Sequence, residues 1–180
     1  MLQITIPGRE MFNEETGKRV RTKTTTIQLE HSLVSISKWE SKWKVHYINN
    51  DKLTQEMSID YVRCMTISQN VDPNVYNGLT RENMKTVIDY INDSMTATTI
   101  KKVNQPGSHG IITSEVVYAW MIILGIPVDP FHKWHFNRLI TLIQVVDAKS
   151  SPKKKMGRRE AANQRHSLNA ARKAKMGSRG

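Results

Sequence analysis

The densest run of chemically competent side chains in this sequence is cationic. Lys153, Lys154, Lys155, Arg158, Arg159, Arg165, Arg172, Lys173 and Lys175 follow one another with mostly small and polar residues between them. Between Arg159 and Lys175 the one large aliphatic residue is Leu168. Such a segment can neutralise phosphates by releasing counterions, without reading a base sequence. It can equally dock on an acidic protein surface. It holds no Phe, Tyr or Trp on which a single-stranded base could stack. Of the formal net charge of +11, nearly all arises beyond residue 148, where Glu160 is the only carboxylate. The basic character therefore belongs to a tail, and an electrostatic partner is sought there.

The other candidates for chemistry are sparser. His132 and His135 stand three apart and could share a helical face, but no cysteine or acidic ligand sits at a supporting spacing. One histidine packed and the other solvated is the expectation, and no metal site is assigned. Asp60, Asp89, Asp93 and Glu115 fall on different elements and read as solvated carboxylates. Cys64 is the single cysteine, lies among apolar neighbours and reads as a small buried hydrophobe. Trp39 and Trp43, four apart, form either an aromatic platform for a ligand or a stripe docking a helix on the core, and packing is the favoured reading. No Walker loop, dinucleotide fingerprint, hydrolase elbow or zinc-finger pair occurs. No catalytic residue and no cofactor is assigned, and the protein is expected not to be an enzyme.

The elements that must position these residues follow from periodicity. Leu2, Ile4 and Ile6 alternate with polar residues up to Pro7-Gly8, and Thr24 to Leu29 is β-branched and alternating, so two strands are expected with a long polar loop from Arg9 to Lys23. Helices are predicted after Ser32, after Thr54 and from Thr80 to about Asn92, the last turning Met84, Val87, Ile88 and Ile91 inward. Met95 to Ile100 and Gly110 to Thr113 bracket a polar segment containing Pro106-Gly107, the pattern of a β-hairpin. Thr113 or Ser114 caps an apolar helix, Glu115 to Leu124, closed by Gly125. A last core helix follows Asp129-Pro130 and carries Phe131, Trp134, Leu139, Leu142, Ile143 and Val146. The tail favours helix by propensity, yet has too little to bury to fold alone, so it is expected to order on a partner.

A chain of 180 residues holds one ordinary domain and an appendage. Hydrophobic residues at 38% make disorder throughout untenable. A single cysteine excludes a disulfide-stapled secreted scaffold, and no apolar run approaches the ~18 residues of a membrane span. With no signal-peptide pattern at the N-terminus, the expected location is the cytosol. The fold class expected is α+β, predominantly helical: a compact helical core with a small N-terminal β element and one internal β-hairpin over residues 1–148, followed by a basic arm over 149–180.

Several blocks also carry a resemblance. LEHSLVSISKWESKW at 29–43, YVRCMT at 61–66, MTATT at 95–99, KWHFNRL at 133–139 and LNAAR at 168–172 resemble those of small tail-region proteins of long-tailed, siphovirus-type bacteriophages. The likeness covers most of the chain. It implies a tail assembly chaperone-like protein of virion morphogenesis, acting in the host cytoplasm. Such a protein would bind the tape-measure protein or the tail-tube subunit, keeping a long helical chain soluble while the tail polymerises. No catalytic residues come with the resemblance. Two other readings are a structural component retained in the virion and a nucleic-acid-binding protein acting through the basic arm. The partner-binding residues expected are Lys153, Lys154, Lys155, Arg158, Arg159, Arg165, Leu168, Arg172, Lys173 and Lys175. Their partner would be a tail protein, another copy of the chain or non-specific nucleic acid, and not a membrane.

Overall fold

Alternation of apolar and polar residues makes a two-stranded antiparallel sheet of β1 (Leu2–Ile6) and β4 (Thr25–Leu29), in register Ile4 to Ile27. Ile4, Ile6, Ile27 and Leu29 are buried on its inner face, while Thr5 and Thr26 bond each other through their hydroxyls on the outer face at 2.9 Å. A computed structural model of the chain describes residues 1–13, 18–99, 110–150 and 158–177. Its contacts divide the chain into two units, Met1–Ala148 and Lys149–Gly180.

The polar stretch expected as a loop contains a second antiparallel pair, β2 (Glu10–Asn13) with β3 (Lys18–Arg21). It joins the first sheet through a tight crossing: a Cβ on Gly8 would stand 2.5 Å from the carbonyl oxygen of Thr22, so only glycine passes. The hairpin expected further along is not formed in its described flanks, since Met95–Thr99 and Gly110–Thr113 contain no strand. The segment between them, from Ile100 to His109, lies outside the described residues. Thr96, Thr98 and Thr99 in one flank and Ile111 and Ile112 in the other satisfy β propensity, but at 95–99 the chain leaves α3 through Asp93 and a left-handed Met95, with short Asx and threonine turns instead of a ladder.

Helices supply most of the core. α1 (Leu33–Trp43) begins with a capping box in which the Ser32 hydroxyl accepts from Ser35 N–H and the Ser35 hydroxyl accepts from Ser32 N–H. α2 (Gln55–Met65) is capped by Thr54. After a 3₁₀ turn at Pro73–Gly78, α3 (Arg81–Asn92) starts from a Thr80–Asn83 capping box. Leu33, Ile36, Trp39, Tyr61, Val62, Met65 and Val87 interlock over the inner face of the sheet. Ile88, expected inward, is 51% exposed, because the α3 stripe that packs is Val87 with Tyr90 and only one side of the helix is covered.

α4 (Ser114–Ile123) ends at Gly125 in the left-handed conformation, as its sequence predicts. The last core helix starts later than expected. Phe131–Lys133 form a separate 3₁₀ turn and α5 runs from Phe136 to Ser150. The break falls where Phe131 packs edge-on against Trp134 and Arg138 lies over the Trp134 ring. The second unit contains α6 (Arg158–Met176). Among the described residues no helix is long and apolar enough to cross a membrane.

The two tryptophans of α1 are the clearest measure of packing. Trp39 is fully buried, and its Nε1–H donates to Met57 O at 3.0 Å, whereas the stacked Trp43 is only partly covered. Both therefore dock the helix, but not equally. Replacing Trp39 with Ala should cost ~3–5 kcal/mol in urea unfolding, and replacing Trp43 distinctly less. Equal losses would place both rings in the same core.

Candidate functional site

Among the described residues, α4 presents an exposed apolar side. Its sequence is apolar on nearly every side, a composition expected of a helix enclosed all round. Only Ser114, Val117 and Met121 are buried, however, and Ile122 and Ile123 are 69% and 79% exposed. A groove of about 400 Å³ runs beside the helix, lined by Trp120, Ile123 and Leu124 of α4 and Ile140 and Ile143 of α5, with Gln144 and Asp147 at its edge. Ile111, just before α4, is also exposed.

The position of that surface is set by one carboxylate. Glu40 of α1 is buried, and its two oxygens accept from Tyr47 N–H at 2.8 Å and from Ser114 N–H at 2.7 Å. Thr113, the N-cap residue of α4, makes no side-chain cap bond, so the carboxylate of a distant helix takes that role. A negative charge there also meets the positive end of the α4 dipole. At the other end, Ile126 N–H donates to Met121 O at 2.8 Å.

A second polar cluster lies inside the core. The Tyr61 hydroxyl and His31 Nδ1 are 2.5 Å apart, and Ser35 Oγ lies 3.4 Å from the same hydroxyl. Burial, reinforced by the His135 ring 5.1 Å away, lowers the His31 pKa to about 3. The imidazole is therefore neutral and shares a hydrogen bond at Nδ1 with Tyr61, whose own ionisation burial pushes far up. His135 is likewise held neutral by burial, with Nε2–H donating to Tyr90 O at 3.0 Å. That tautomer leaves His135 Nδ1 without a hydrogen-bond partner among the described residues. Tyr90 O–H in turn donates to Glu30 at 2.7 Å. Because both histidines bind protons less readily folded than unfolded, their contribution is complete above the ordinary histidine pKa. It drains away as pH falls below 6.5.

These groups support structure more than reactivity. Asp60, reached by Trp43 Nε1–H at 2.8 Å and Lys42 at 2.5 Å, clamps α2 to α1 beside a polar cleft that Lys42, Glu56, Arg63 and Asn77 help to line. The Cys64 thiol is half-buried, less enclosed than expected, and burial followed by the nearby Asp60 raises its pKa, which disfavours the thiolate a nucleophile needs. His132 and His135 do not share a helical face. His132 sits in the 3₁₀ turn with Nδ1 2.6 Å from Val128 O, and His135 is buried just before α5. Among the described residues, no group of three or more His, Cys, Asp or Glu side chains is placed to hold a metal.

The residues expected to bind a partner fall differently. Lys153, Lys154 and Lys155 lie outside the described residues. Arg158 and Arg159 open α6, while Arg165, Leu168, Arg172, Lys173 and Lys175 project from it into solvent. The groove residues Trp120, Ile123, Leu124 and Ile140 were not among the expected contacts. Their signal in the sequence is the all-round apolar run from Val116 to Leu124, which reads equally as a buried core helix. No family model, curated protein or solved structure matches the chain.

Removing the Glu40 carboxylate should therefore loosen α4 specifically. Glu40→Ala leaves two backbone donors unpaired at ~1–3 kcal/mol each. Hydrogen exchange should accelerate at the Tyr47 and Ser114 amides before the β1–β4 amides respond. Unchanged protection at Ser114 would show that the carboxylate does not hold the helix.

Proposed function

We propose that this protein is a bacteriophage tail assembly factor that acts by binding, not catalysis, and that it receives an amphipathic helix of the tape-measure or tail-tube protein in the α4–α5 groove. The observation that carries this reading is the exposed apolar side of α4, anchored by Glu40 and bordered by a groove whose lining is mainly apolar. A helix laid into such a groove needs apolar anchors three and four residues apart and a polar outer side. That is the pattern of a long helical chain that would aggregate if left uncovered. The phrases shared with phage tail-region proteins support the same class of partner. In this reading the protein works in the host cytoplasm and covers its partner until polymerisation does so.

Ile123 offers a clean test, since it lines the groove and is too exposed to hold the core together. Co-expression with the tape-measure and tail-tube proteins of the same genome should yield a soluble complex with one of them. Ile123→Asp should abolish that complex and move the free protein's stability by no more than ~0.5 kcal/mol. Failure to bind either protein, or a complex indifferent to Ile123→Asp, would overturn the proposal.

A further inference from the structure

Basic residues of α6 recur in a regular series. Arg158 with Arg159, Arg165 with His166, and Arg172 with Lys173 are three pairs at intervals of seven residues. On a helix of 3.6 residues per turn a seven-residue step returns to the same side with a drift of only ~20°. The three pairs thus occupy one face at intervals of about 10.5 Å. Ala162 and Asn169 are the positions that fall between them, and both are exposed, as are Arg165, His166, Arg172 and Lys173. Glu160, the only carboxylate of the unit, occupies a position on the opposite side.

We propose that this face of α6 binds the phosphate backbone of duplex nucleic acid without reading its sequence. The proposal is independent of the α4–α5 groove. Guanidinium groups match phosphate oxygens with paired hydrogen bonds, and a short amide such as Asn169 can donate to the same backbone. A duplex presents one charge per ~1.7 Å, far denser than a protein surface. A helix of 19 residues is about 28 Å long, close to one duplex turn of ~34 Å, so the three pairs can meet one tract of backbone.

The make-up of the face favours this ligand over an acidic protein. Protein interfaces draw their affinity from buried aromatic or aliphatic anchors surrounded by polar contacts. Between these cations stand only Ala162 and Asn169, and Leu168 lies to the side of the stripe. Phosphate binding needs no such anchor, because released counterions drive it. The lack of any Phe, Tyr or Trp in α6 favours a duplex over a single strand, for which stacking platforms would be wanted.

The test uses the full chain and a fluorescent duplex of arbitrary sequence, with anisotropy followed across a salt series. Log affinity should fall linearly with log salt, with a slope of about −4.5 if five cations each neutralise one phosphate. The variant Arg165→Gln/Arg172→Gln/Lys173→Gln should bind more weakly and shed about 2.7 from the size of that slope. Gln keeps helix propensity, so circular dichroism should be unchanged. Leu168→Ala should bind as the parent does. Absence of duplex binding at low salt, or binding that ignores the triple substitution, would overturn the proposal. So would poly-glutamate competing as well as unlabelled duplex, which would point to an acidic protein surface.

Discussion

The structure hangs on the short stretch where β4 turns into α1, and there on an imidazole that must stay uncharged. His31 is nearly inaccessible, bonded to Tyr61 of α2, and in edge contact with Phe136 and His135 at the entry to α5. Its carbonyl accepts from Phe136 N–H at 2.7 Å. On either side, Glu30 N–H donates to Met65 O at the end of α2, and the Ser32 hydroxyl caps α1. Three consecutive residues thus tie the sheet to α1, α2 and α5. A proton on His31 would leave a buried charge facing a second imidazole.

From that junction the α4–α5 groove follows by two links. Phe136, fixed on the His31 carbonyl, sets where α5 begins, and Glu40, about two turns into the helix that Ser32 caps, fixes where α4 begins. The groove between Trp120 and Ile140 is the space those two anchors leave. An apolar surface held by buried polar bonds keeps its shape while empty, and a docking helix then has little reorganisation to offset. The basic helix of the second unit works on other physics. Its charges act in water and fade with salt, so it suits a dense polyanion and a sequence-blind contact.

Much of this fold was legible in the sequence because its strongest signals are local. Alternation at Leu2–Ile6, the caps at Ser32, Thr54 and Thr80, and the glycine stop at Gly125 each follow from chemistry within a few residues. What was not legible depends on partners far along the chain. The β2–β3 pair looks like polar loop because neither strand carries an apolar alternation, and its placement depends on the Gly8–Thr22 crossing. The β-branched flanks at 95–99 and 110–113 imitate strands without forming them. The late start of α5 reflects Trp134 being held by Phe131 and Arg138, which no periodicity encodes. Nothing near Glu40 in the sequence shows that its carboxylate caps Ser114, 74 residues away. The α4 groove was hidden for a related reason: burial of an apolar helix and exposure of one look identical in a sequence.

The neutrality of His31 is the claim on which the account turns, and it can be read from a single nucleus. Imidazole ¹⁵N shifts followed from neutral pH downward should show His31 uncharged through the ordinary histidine range. Its protonation should come near pH 3, or together with loss of the native fold. A His31 titration centred near pH 6.5 in a protein whose core amides remain protected would contradict the account, because the junction would then tolerate the charge it is argued to exclude.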